Sequence, residues 1–210
     1  MFAPAMELYG MSFPYNEQRE PDSQARIMSD PEYHFELIYD EGRFVGEMLS
    51  WENADFIYVE HFCMLPDVRG RGCGSRALEL LRARGKTIIL EIDPPVDDIS
   101  RRRKGFYERN GFIANDYDYT HLPYHRGCKG HRLVIMSSPH RIDEAEYRNF
   151  LDYMRRRVMV FYRRIGAPTD THTAVSRCRR CGENHDVSLP SRLRSRMPRF
   201  CRNPPVGIPQ

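Results

Sequence analysis

Residues 68–81 read VRGRGCGSRALELL. Gly70, Gly72 and Gly74 alternate with arginine and cysteine, and Ala77, Leu78, Leu80 and Leu81 then recur at helical spacing. Repeated glycine weakens a chain entropically, so its value here lies in letting backbone come close to something else. A glycine loop that opens a helix presents backbone N–H groups without intrahelical acceptors at the positive end of the helix dipole. Both favour an anion.

The flanking pattern tells which glycine loop this is. Residues 34–51 read as a β-hairpin, two apolar runs around the turn Asp40-Glu41-Gly42. Residues 55–66 are β-branched and aromatic and stop at proline. After the loop, 75–84 reads as a helix with its apolar side at Ala77, Leu78, Leu80 and Leu81, ended by Gly85. TIILEI, 87–92, is a short buried strand. A helix over 99–110, capped by Asp98 or Ser100, precedes a strand over 112–119 and its antiparallel mate over 132–138. Apolar residues at helical spacing from 143 to 165 predict a last helix that buries one face on its own domain or on a second subunit. The fold class is α/β, with a mixed, mostly antiparallel central sheet holding one βαβ unit.

Two owners of the loop fail on this pattern. A phosphate-binding P-loop ending at Gly85-Lys86-Thr87 needs a glycine where Leu80 stands, and it would precede a strand instead of opening a helix. Gly72, Gly74 and Ala77 imitate a dinucleotide fingerprint, with Glu91 in the place of a ribose-binding acid. Residues 66–69 separate that loop from its strand, however, and antiparallel flanks do not build the usual parallel sheet.

The third reading also uses the arginines. Arg69, Gly72 and Gly74 fill the pattern [QR]-x-x-G-x-[GA], and FYERNGF at 106–112 fits [FY]-Y-x-x-x-G-F on the next helix, some thirty-five residues on. Together these resemble the acyl-coenzyme A loop and following helix of the GNAT-type N-acetyltransferase superfamily, in a bacterial branch. The resemblance covers roughly residues 34–138. It implies the acyl-CoA N-acyltransferase fold and direct transfer of acetyl from acetyl-CoA to a primary amine, on a small molecule or peptide, with no metal. Phe62, Cys63, Met64 and Leu65 would hold the pantetheine arm. Arg69, Gly70, Arg71, Gly72, Cys73, Gly74 and Ser75 would hold the pyrophosphate. The family pattern places a strand and a helix ahead of the hairpin. Residues 1–14 read as the end of that helix, with no strand before it. The competing class is a non-catalytic acyl-CoA-binding or regulatory module; a dinucleotide-binding protein stands third.

Tyr107 is the general acid that the resemblance implies, since the family's tyrosine at this position reaches the coenzyme sulfur. An ordinary pKa of ~10 keeps it protonated at neutral pH. Glu60 is the candidate base: a charge inside the apolar run IYVEHF, where desolvation would raise its pKa. Strand alternation sends His61 the opposite way. Tyr117, Asp118, Tyr119, His121 and Tyr124 read as an exposed tyrosine-rich strand or as one side of an acceptor channel. Cys63 and Cys73 lack the His/Asp partners of a nucleophile.

The chain has 210 residues, 40% hydrophobic and 29% charged, with a net charge of +3. The charge is uneven. Residues 167–210 carry eight arginines, three acids and six prolines, a net +5, which leaves −2 for 1–166. We divide the chain into an acetyltransferase domain, 1–166, including the helix over 143–165, and a basic tail, 167–210, expected to be disordered. Cys178 and Cys181, with His185 and Cys201, offer half of a zinc knuckle without a compact second half. No apolar stretch has membrane length and no cationic-then-apolar leader opens the chain. A cytoplasmic protein without a nucleic-acid partner is expected, and a homodimer remains open through the last helix.

Overall fold

The computed structural model describes residues 2–125 and 127–160. Helices α1 (Phe2–Ser12) and α2 (Pro21–Ile27) precede strands β1 (Tyr33–Asp40), β2 (Arg43–Glu52) and β3 (Phe56–Met64). Then come α3 (Cys73–Arg82), β4 (Thr87–Ile92), α4 (Asp98–Arg109), the short β5 (Ile113–Ala114) and β6 (Tyr119–His121), β7 (His131–Ser138) and α5 (Glu144–Tyr153). The sheet has seven strands in the order β1-β2-β3-β4-β7-β5, with β6 also on β7. Every pairing is antiparallel except β3–β4, which the α3 crossover makes parallel. This is the mixed sheet with one βαβ unit expected from the sequence.

Alternation along the strands gives the sheet two apolar faces. Trp51, Tyr58, Ile89 and Ile135 lie in one core with Tyr9 of α1, Ile27 of α2 and Phe150 of α5. Ile57, Val59, Ile88 and Leu90 lie in the other with Leu78 and Leu81 of α3 and Tyr107 of α4. Each fully buried Leu or Ile here contributes roughly 1.5–3 kcal/mol. Leu80, read from the sequence on the apolar side of α3, is exposed.

Local signals explain the boundaries. Glu41 and Gly42 both take positive φ (49° and 82°), as the hairpin turn requires. The cap of α4 is Asp97, not Asp98 or Ser100. Its carboxylate accepts from the Ser100 amide at 2.7 Å while the Ser100 hydroxyl accepts from the Asp97 amide, a capping box. The strand predicted over 112–119 is split into β5 and β6. Between them the Asn115 side-chain amide donates to Ser137 Oγ at 2.9 Å, and its carbonyl accepts from the Ile142 amide at 3.0 Å. A side chain thus takes over where the ladder stops. α5 starts at the Asp143 cap as read, but its regular part ends at Tyr153 and a π-helical turn, Met154–Val158, follows. Phe150, Met154 and Val158 pack on the chain's own sheet, which answers which surface the helix covers. The end of the predicted helix beyond residue 160, the basic tail and the zinc alternative at Cys178, Cys181, His185 and Cys201 lie outside the described residues. Among the described residues no helix is long and apolar enough to cross a membrane.

Candidate active site

The β3–β4 pairing stops at Val59↔Leu90. Beyond it the two strands diverge, and the backbone edge of β3 from Glu60 to Met64 has no partner strand on the β4 side. A cleft of about 930 Å³ opens there. Its wall includes Phe62, Cys63 and Met64 of β3, residues 69, 70 and 72–75 of the glycine loop, and Phe106 and Tyr107 of α4.

The loop is built as the glycines suggested. Gly70 and Gly72 have φ of 79° and 82°, closed to most side chains, and Gly72 is the N-cap of α3. The helix therefore starts at Cys73, two residues earlier than read. The first-turn amides that follow face no intrahelical carbonyl. Gly74 is closely covered: a Cβ there would meet Phe106 Cζ at 3.3 Å and Phe62 Cζ at 3.6 Å. Arg69 lines the cleft and its Nε donates to the Met64 carbonyl at 3.2 Å. Of the residues expected around the coenzyme, Arg71 is exposed and Leu65 is partly buried against the core, and neither is among those that line the cleft.

Tyr107 reaches the cleft from α4 and is 8% exposed. Burial pushes its phenol up to about 12, so it carries its proton at neutral pH. Phe106 and Phe112 pack edge-on against its ring at 5.2 and 5.6 Å. Cys63 is held as a thiol, its pKa pushed to about 12 by burial and by Glu47.

Glu60 overturns the expectation placed on it. It is fully buried in the cleft wall, but its oxygens are taken. Oε1 accepts from Arg19 Nη2 at 2.6 Å, Arg19 Nε at 2.8 Å and the Tyr124 hydroxyl at 2.7 Å; Oε2 accepts from Trp51 Nε1 at 3.0 Å. Burial pushes the carboxyl up, yet Arg19, His61 and these hydrogen bonds outweigh it, and its pKa falls below the ordinary value. A carboxylate so stabilised is the counter-ion of a buried arginine, not a base with a raised pKa. Arg19 also donates to the Val158 carbonyl at 3.0 Å and lies over the Trp51 and Tyr124 rings, so the pair ties the start of the chain to the sheet and the last helix.

His61 was expected on the opposite face. The register skips at this point: Leu49 pairs with His61 and Ser50 with Val59, so Glu60 is the extra residue of a β-bulge. The bulge cancels the alternation and brings both side chains to Tyr124. His61 Nε2 donates to the Glu17 carbonyl at 2.9 Å, burial lowers its pKa to about 4, and its buried Nδ1 meets no partner among the described residues. Tyr119, His121 and Tyr124, read as an exposed strand, are buried, and His121 and Tyr124 line the cleft. Tyr117 is tied to α5, stacked on Tyr147 at 3.8 Å.

The comparisons agree with this geometry. Residues 31–114 match the family model described as an acetyltransferase (GNAT) domain. A Bacillus subtilis protein named as an acetyltransferase, YjbC, is 29% identical over 104 residues, covering 48% of this chain and 52% of that protein. The chain therefore spans about half the length of the curated relative it matches. A solved structure described as a GNAT-family acetyltransferase from Bacteroides thetaiotaomicron is 30% identical, with a TM-score of 0.68 over 77% of this chain and 91% of that one. The chain belongs to the GNAT acetyltransferase family.

Several residues around this GNAT cleft gave no sequence signal as site residues. Arg19 stands in a polar loop, and only its burial marks it. Glu47 is fully buried opposite Cys63, whose thiol donates to it at 3.5 Å, and burial raises its pKa to about 8. Glu91 was noticed only as a ribose-type acid. It sits on β4 in the cleft wall, where its Oε2 accepts from the Tyr58 hydroxyl at 3.1 Å.

Proposed function

We propose that the cleft transfers an acetyl group from acetyl-CoA directly to a primary amine. The observation that supports this reading is the β3–β4 divergence, around which an unpaired strand edge, a helix N-terminus and Tyr107 line one cleft. In this reading the first-turn amides of α3 and Arg69 hold the pyrophosphate, and the Glu60–Met64 edge pairs with the pantetheine amides. The neutral amine attacks the thioester carbonyl. A C–N bond forms and the C–S bond breaks; nitrogen loses one proton to water in the open cleft, Tyr107 gives one to the departing sulfur, and the phenolate then regains a proton from water. Glu60 takes no part in that transfer. Residues 1–166 are the catalytic unit.

Acetyl-CoA at one hundred times its Kd should stabilise the protein by about 2.7 kcal/mol, read as a rise in melting temperature. Thiol release over a panel of small amines and peptide N-termini should then identify substrates. No stabilisation at all would overturn the reading. Stabilisation without thiol release from any amine would favour the non-catalytic acyl-CoA-binding module.

A further inference from the structure

Part of the cleft wall is acidic. Glu17, Glu91 and Asp93 all line it, together with His61, His121 and His131. Glu17, Asp93 and His131 bring ligand atoms within 4.8 Å of one another. The guanidinium that faces them is Arg103, 2.5 Å from Asp93. Arg69 belongs to the glycine loop, and Arg109 lies about 9 Å further along α4. Burial lowers the pKa of His61 and of His131. Among the described residues three carboxyl groups thus meet one facing guanidinium, although burial and the neighbouring Asp93 raise the pKa of Glu17.

Two buried polar atoms mark the wall as a binding surface. The Glu91 side chain is 7% exposed; Oε2 takes the Tyr58 hydroxyl and lies 3.8 Å from His121 Nε2, the Tyr119 hydroxyl also interacts with the carboxylate, and among the described residues Oε1 has no hydrogen-bond partner. His61 is 4% exposed and its Nδ1 likewise has no partner among the described residues. A buried carboxylate oxygen left without a donor is destabilising unless a ligand supplies one.

The charge of the wall says what kind of ligand. An amine that attacks a thioester must be neutral, and nearby carboxylates raise an amine's pKa and keep it charged. Three carboxylates aimed at the reacting nitrogen alone would therefore slow the reaction. They favour it if they hold a different positive charge that survives the reaction. Resting on the acetyltransfer reading, we propose that the Glu17–Glu91–Asp93 wall binds a second cationic group of the acceptor. The substrate class is a primary amine carrying another ammonium group, as in a short diamine.

The test is thiol release from acetyl-CoA with straight-chain diamines of three to six carbons, the matched monoamines and the matched amino acids. The account expects kcat/KM about 100-fold higher for the best diamine than for its monoamine, with the carboxylate-bearing amines lowest. Glu91→Gln, and separately Asp93→Asn and Glu17→Gln, should cut the diamine-to-monoamine ratio by about tenfold or more. The ratio is taken within each variant, so a general loss of folded protein does not move it. The preference should persist in EDTA. Equal use of monoamines and diamines, or a ratio unchanged in all three variants, overturns the proposal while acetyltransfer stands. A preference abolished by EDTA overturns it in favour of a metal site at Glu17, Asp93 and His131. If no amine at all is acetylated, the acetyltransfer reading itself falls.

Discussion

The two walls of the cleft are built differently. The glycine-loop wall comes from one continuous segment, residues 69–75, and works through backbone: two left-handed glycines and a helix N-terminus. The other wall comes from side chains on four separate segments: Glu17 after α1, Glu60 and His61 on β3, Glu91 and Asp93 at the end of β4, and His121, Tyr124 and His131 around β6 and β7. The first wall suits an anion and the second a cation. A backbone site needs a local pattern of glycines, so one stretch of sequence announces it. A side-chain site needs only that the fold bring distant residues together.

The comparison can be broken first at Glu60, where two roles compete. If it is the counter-ion of Arg19, Arg19→Ala should destabilise the protein by about 3–5 kcal/mol, since a buried carboxylate is left without its cation. Urea unfolding midpoints measure this. A folded, stable Arg19→Ala protein would return Glu60 to the list of possible bases.

Next is Tyr107, which lies between the walls. Tyr107→Phe keeps the ring and removes the proton donor. It should lower kcat roughly 100-fold, the low end for general acid catalysis, with the Kd for acetyl-CoA unchanged. A variant as fast as wild type would leave Tyr107 as packing beside Phe106 and Phe112.

Glu47 sharpens the contrast with Glu60, because the two buried carboxyls shift in opposite directions. Burial raises Glu47 from 4.5 to about 8, with only the Cys63 thiol as its hydrogen-bond partner among the described residues. Its protonated form fits the fold, so its contribution is fully present below pH 4.5 and lost as pH rises through about 8. Glu47→Gln should flatten this dependence and gain on the order of 4 kcal/mol relative to wild type between pH 5 and pH 9. Denaturation midpoints at the two pH values measure it. A wild type equally stable at both would place Glu47 in water.

The smallest effect belongs to the loop. Gly74→Ala puts a methyl 3.3 Å from the Phe106 ring, a contact that a shift of a few tenths of an ångström relieves. The amide path to the ligand narrows, and acetyl-CoA affinity should fall about tenfold, ~1.4 kcal/mol, with stability little changed. Unchanged affinity would move the coenzyme away from this turn.

The sequence announced the sheet, the crossover and the loop because their signals are local: alternation, a helical run and glycines. It misplaced Glu60 and His61 because both expectations assumed a regular strand and a lone acid. The bulge at Glu60 breaks the alternation, and its partner Arg19 comes from 41 positions earlier. Tyr119, His121 and Tyr124 looked exposed because their polar atoms suggested water, whereas the Tyr124 hydroxyl is satisfied by Glu60 and the His121 ring packs on Tyr124 at 5.0 Å. Glu91 drew a ribose-binding reading from its spacing, and its unpartnered oxygen emerges only in three dimensions.

Calorimetric titration tests the contrast between the walls most directly. Acetyl-CoA and acetylpantetheine carry the same thioester, and only the first has a pyrophosphate for the glycine loop. The account predicts that acetyl-CoA binds at least about 100-fold more tightly, ~2.7 kcal/mol. Equal affinity for the two would contradict it.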